Sequence, residues 1–178
     1  MTRTKAAKPQ LIAVDGVDPA AVLAGARAAL GQPSRGGISQ WDASGVFQEL
    51  AVADAAAGAP SARTLLLLYA ADLAFRLRWE IRPALAEGRT VVAAPYVHTA
   101  LAFGRAAGLK PSWLMNLFRF APRANTRLFA HTTAGRAVAV KGGFVGFSSD
   151  RMAGAAGSRR RILTQTAAEL RGRFDRRD

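Results

Sequence analysis

Few residues in this chain have the type and spacing to do chemistry. The two histidines, His98 and His131, stand far apart and make a poor metal site. Cysteine is absent, which removes disulfides and thiolate ligands together and agrees with a cytoplasmic protein, the expected location. Arginine, by contrast, is abundant and clustered. The stretch 158–178 holds Arg159, Arg160, Arg161, Arg171, Arg173, Arg176 and Arg177 against Glu169, Asp175 and Asp178, and the N-terminus adds Arg3, Lys5 and Lys8. Such clusters can touch nucleic-acid phosphates. No helix-turn-helix, zinc-finger or aromatic-basic pattern accompanies them, so a solvated basic face is the simpler account.

The same balance holds over the whole chain, where 25 Lys+Arg oppose 12 Asp+Glu for a net charge of +13. A surplus of this size suits nucleic acid, an anionic membrane or an acidic protein. It also arises without any partner in a sequence rich in Ala, Arg and Gly. A membrane span is not expected: the apolar run Leu65 to Leu68 soon meets Asp72, Arg76 and Arg78. The basic N-terminus has too short an apolar run for a signal peptide.

The elements that must position these residues follow from pattern. Residues 1–9 read as a basic tail, and 10–178 as one domain, the size expected of a 178-residue chain. Gln10 to Val14 is a short buried strand ending at Asp15-Gly16. Asp18 can cap the next helix, with Pro19 at its first position and Gly31 as its stop. The stretch from Gln32 to Ser39 reads as a loop turning at Gly36-Gly37, and Val46 to Ala57 as a helix. Ser61 opens a long helix to about Ala86, with Leu66, Leu73, Leu77 and Ile81 along one stripe. Thr90 to Ala94 is a second buried strand. His98–Ala107 and Pro111–Phe120 are short helices, Arg127 to Ala130 a third strand, and Arg159 to Phe174 a closing basic helix. Residues 137–147 fit no single pattern, and Lys141-Gly142-Gly143 would allow a turn there. Strands separated by helices imply a parallel sheet with helices on both faces.

Several segments, in order, resemble thymidylate kinase. LYAADLAFRLRWEIRPALAEGRTVV is similar to the family's long helix and following strand, F-A-A-x-R-…-I-x-P-A-L-x-x-G-x-x-V. YVHTALAF falls where the family has a tyrosine segment ending L-A-Y, and GLKPSWLMNLFRFA resembles G-L-x-x-x-x-L-x-x-L-x-x-F-A. LIAVDGVD is similar to L-I-x-x-E-G-x-D, SRGGIS falls at E-P-G-G-T, and Asp150-Arg151 falls at D-R-x-E. The resemblance implies a three-layer α/β/α fold with a mainly parallel sheet, of P-loop NTPase, thymidylate kinase-like architecture. The family continues past the closing helix into a last strand and helix, so the expected fold is truncated at the C-terminus.

The resemblance also shows what is missing. The phosphate-binding loop G-x-x-x-x-G-K-[ST] needs a Lys for the β/γ oxygens and a hydroxyl for Mg²⁺. From Gly16, this chain keeps only the first glycine: Ala21 replaces the second, Val22 the Lys and Leu23 the Ser/Thr, and Pro19 removes a backbone donor. The family's D-R-[YFH] falls at Ala94-Pro95-Tyr96, and its base-reading arginine at Leu73. The arginine and glutamate before its G-G fall near Pro33 and Ser34, and the Glu of D-R-x-E falls at Ala153. Of the family's lid arginines, only Arg136 and Lys141 lie near. Tyr69 stands where the family stacks an aromatic on thymine, and Phe103 where a tyrosine packs beside the deoxyribose. With Tyr96 they could line a nucleoside pocket; as helical aromatics they could equally be core. Asp18 matches an acidic residue near the sugar and metal, or is simply a cap.

Phosphoryl transfer depends on positioning and charge neutralisation. The expectation is therefore a catalytically degenerate, non-enzymatic relative with no catalytic residues and no cofactor, where the family would use ATP and Mg²⁺. It would act through protein contacts, as a homodimer or a heterodimer with a related protein, or through weak nucleoside or nucleotide binding. Two alternatives stay open: an active thymidine monophosphate kinase using other phosphate-binding residues, and a basic nucleic-acid-binding protein.

Overall fold

Leu11–Asp15 form β1, buried along its whole length, as a strand covered on both faces must be. The structure, a computed structural model, describes residues 8–31, 36–52, 58–152 and 156–175. Arg3, Lys5, Pro33, Ser34, the expected helix end at 53–57, Ala153, Arg176, Arg177 and Asp178 lie outside the described residues. In chain order the remaining elements are α1 (Pro19–Leu30), β2 (Gly37–Gln40), α2 (Val46–Val52), α3 (Ala62–Arg76), a π turn (Leu77–Ile81) and α4 (Arg82–Ala86). These are followed by β3 (Val91–Ala94), α5 (Val97–Ala106), α6 (Pro111–Leu117), β4 (Thr126–Phe129), α7 (Ala134–Val138), α8 (Gly143–Met152) and α9 (Ala156–Asp175).

The four strands form one parallel sheet in the order β2-β3-β1-β4. Leu11 lies opposite Val91, which sets the two expected strands side by side, and Ile12 lies opposite Thr126 on the other flank. One face carries Ile12, Val14, Val92 and Ala94 and is covered by α1 through Val22, Ala26 and Leu30. The other face packs on α3, α5, α8 and α9, with Tyr69, Phe103, Phe144 and Leu163 in its core. The result is a three-layer α/β/α arrangement.

Two expectations change. The stretch read as loop contains β2, whose Gly37-Ile38-Ser39-Gln40 pairs with Val91 to Ala94. With a single β-branched residue it has no strand signature of its own, and its conformation comes from the neighbouring strand. The ambiguous segment is helical: α7 ends at Val138, and Gly142 and Gly143, at φ 72° and 61°, turn the chain into α8. The long helix does run from the Ser61 cap, where Thr64 N donates to Ser61 Oγ, to Ala86. Its stripe of Leu66, Leu73, Leu77 and Ile81 is buried.

Candidate functional site

The C-terminal ends of parallel strands are where this class of sheet places ligands, and β1 and β3 meet there. After β1 the chain turns at Gly16 and enters α1. Asp18 caps that helix: Ala20 N donates to Asp18 Oδ1 at 2.9 Å, and Arg136 Nε pairs with Oδ2 at 3.0 Å. Such a cap stabilises by about 1 kcal/mol. Val22 turns inward and is buried. A methyl added at Gly16 would lie 2.8 Å from Val22 Cγ2 and 2.9 Å from Ala130 Cβ and O, so Val22 and Ala130 close the turn on that side. Ala21 packs at the edge of the same apolar cluster. Leu23 and Pro19 line a cavity of ≈ 90 Å³, whose opposite wall is Trp41, Pro95 and Phe144.

Asp15, the last residue of β1, sits beneath this turn. Its Oδ1 accepts from Tyr96 N, Thr99 N and Thr99 Oγ1 at 2.8–2.9 Å, placing a carboxylate at the positive end of α5. Its Oδ2 is buried without a hydrogen-bond partner among the described residues. Adjacent to β1, the strand end carries Ala94-Pro95. The charge nearest Pro95 comes instead from Arg76, fully buried, whose Nη2 donates to Pro95 O at 3.0 Å and Ser39 O at 2.8 Å, while Nε donates to Ser39 Oγ at 2.9 Å. Asp72, one turn earlier, is also buried and accepts from Asp42 N, Ser44 N and Ser44 Oγ. Its Oδ2 lies 3.9 Å from Arg76 Nη1, an ion pair too long to be a hydrogen bond. The i, i+4 spacing of Asp72 and Arg76 was a legible signal for this pair.

The three aromatic candidates do not share one pocket. Tyr69 and Phe103 are fully buried, and Phe144 of α8 lies against both, with ring centroids 4.4 and 5.0 Å away. Tyr69 OH donates to Tyr96 O at 2.7 Å, and its burial pushes the phenol well above its usual pKa. Tyr96 turns its own hydroxyl elsewhere, donating to Pro122 O at 2.8 Å, and is likewise pushed up by burial. Leu73 is buried core. Lys141 is exposed, and Arg151 donates to the carbonyls of Leu50 and Ala51 at the end of α2. Among the described residues no group of three His, Asp or Glu side chains could hold a metal ion. No helix of the described residues is long and apolar enough to cross a membrane.

The strand order and the helices on both faces define the class: a three-layer α/β/α fold around a parallel sheet. The chain is similar to a solved thymidylate kinase from Ehrlichia chaffeensis, with a TM-score of 0.62 over 70% of this chain and 72% of that one, at 14% identity. In sequence it is 44% identical over 57 residues to proteins described as probable thymidylate kinases from Pyrococcus abyssi and Thermococcus gammatolerans. That segment is 32% of this chain and 28% and 27% of theirs, so the match spans under a third of the curated relatives. No family model matches. The chain is thus a homologue of thymidylate kinases over part of its sequence and shares their fold.

Proposed function

We propose that this protein is a thymidylate kinase-like scaffold that does not transfer phosphate and acts through contact with a second subunit, either its own copy or a related kinase. The observation that carries the reading is the packing of Val22. The side chain at the phosphate-binding lysine's position faces inward onto Gly16 and Ala130 and belongs to the core under α1. A kinase site must present cations and backbone donors to several phosphate charges at once. Here Ala94 and Pro95 stand at the Asp-Arg positions, and the nearby Arg76 is committed to Ser39 and Pro95 carbonyls. The ≈ 90 Å³ cavity is well below the ~300 Å³ at which ordinary ligand sites begin.

Support for a subunit contact comes from the long helix. Leu67, Phe75 and Trp79 are 53%, 39% and 64% exposed on α3 and the π turn, a run of large apolar side chains left after the inner stripe is buried.

The test is a coupled assay with ATP, thymidine monophosphate and Mg²⁺ at high protein concentration, using material free of host kinase. No rate above the protein-free blank is expected. A rate that follows the protein peak through a second purification and requires Mg²⁺ would overturn the proposal.

A further inference from the structure

Tyr96 and His98, at the start of α5, wall a second hollow of ≈ 330 Å³ that shares no lining residue with the cavity at Gly16. Its size falls within the range of small-molecule sites, which begin at about 300 Å³. Leu101, Met115 and Phe118 supply an apolar wall, and Met115 is 61% exposed at its edge. Arg119, Arg123 and Arg127 line the same hollow, and no carboxylate does. All three arginines are exposed, and none forms an ion pair among the described residues.

The wall is held in place. Tyr96 OH donates to Pro122 O, and Leu11 and Asn125 exchange two hydrogen bonds of 2.8 Å, so the segment from Phe118 to Asn125 is tied to α5 and β1. Three like charges around one apolar chamber repel one another, and an anion between them relieves that repulsion. The polar side chains of the lining are three arginines, His98 and Tyr96, the last already bonded to Pro122 O, so the wall favours an anion with an apolar body over a neutral polar ligand.

We infer that this hollow binds a small amphiphilic anion, an acyl or aryl carboxylate, with its apolar body against Leu101 and Phe118 and its charge at Arg119, Arg123 and Arg127. The site is independent of phosphate transfer and stands whether or not the reading above does.

The experiment is titration calorimetry with octanoate and, as the uncharged probe of similar body, octan-1-ol. Octanoate should bind one per chain and at least about tenfold tighter than the alcohol, the scale of a charge-assisted contact. The triple variant Arg119→Ala/Arg123→Ala/Arg127→Ala, altered only at exposed positions, should bring octanoate down to the alcohol's affinity, and the double variant Arg119→Ala/Arg123→Ala should weaken octanoate part of the way. Ala124→Phe places a ring in the chamber and should abolish both. Because that variant can lose its fold, the site is also read in the unsubstituted protein by NMR, where the Met115 methyl should shift as octanoate is added. No binding, equal affinities for acid and alcohol, a triple variant that binds octanoate undiminished, or a Met115 methyl that stays still while distant methyls move would each overturn the inference.

Discussion

Arg76 Nη2 donates at 3.0 Å to the carbonyl of Pro95, just past the end of β3, and at 2.8 Å to Ser39 O. The guanidinium is fully buried and ties α3 to the ends of β2 and β3, with Asp72 beside it. Breaking such a pair strands the remaining charge. Arg76→Ala is expected to destabilise by about 3–5 kcal/mol, whereas Asp72→Asn/Arg76→Met together should cost less than the single change, because no uncompensated charge is left. Urea unfolding of the three proteins checks this.

Phe144 lies against both Tyr69 and Phe103, and it belongs to a ring cluster that includes Trp41 and Phe47. Phe144→Ala should cost about 3–5 kcal/mol. A nucleoside between Tyr69 and Phe103 would need the space that Phe144 now fills. Thymidine should therefore bind Phe144→Ala more tightly than the unsubstituted protein. Equal thymidine affinity by calorimetry would show that the aromatic pair is core and nothing more.

Val22→Lys would restore the phosphate-loop residue type at a buried position against Gly16 and Ala130. A lysine there loses hydration without gaining a partner. The expected outcome is a drop in Tm and no phosphate transfer, because the Ala94-Pro95 positions still lack their charges. A variant as stable as the parent with Mg²⁺-dependent turnover would contradict this.

The exposed run Leu67, Phe75 and Trp79 should bury itself in a dimer. Light scattering is expected to give twice the chain mass, and Leu67→Glu with Trp79→Glu should return it to the single-chain value while leaving Tm within a few degrees. A monomer in the unsubstituted protein would rule out pairing with its own copy through this face.

Burial holds the His98 imidazole below its ordinary 6.5; Arg127 and Arg173 push the same way, and Asp15 opposes them. The folded chain then binds this proton less readily than the unfolded chain. Stability is complete above about 6.5 and falls as pH drops through the lowered folded value. His98→Gln should flatten this decline in Tm between about pH 7 and about pH 5, the window in which an ordinary histidine titrates. An unchanged profile would place the loss on other groups.

Much of the fold was legible because its signals are local. Asp18-Pro19 and Gly31 mark both ends of α1, and a 3.6-residue stripe marks the long helix that Ser61 caps. Continuous apolar runs mark β1 and β3, which lie side by side in parallel as expected. The residue types at Ala21, Val22, Leu23, Ala94 and Pro95 are likewise read without a structure. What sequence could not supply is how the space around them is filled. β2 is a strand only because β3 offers it hydrogen bonds. Tyr96 and Tyr69 are linked through a backbone carbonyl, yet the side chain of Tyr96 faces Pro122. Phe144 reaches Tyr69 from a segment that showed no period, and Arg119, Arg123 and Arg127 share a hollow because one loop is pinned to Tyr96 and Leu11. These relations join residues distant in the chain through packing and directed hydrogen bonds, which no periodicity or spacing encodes. Only the tertiary structure decided them.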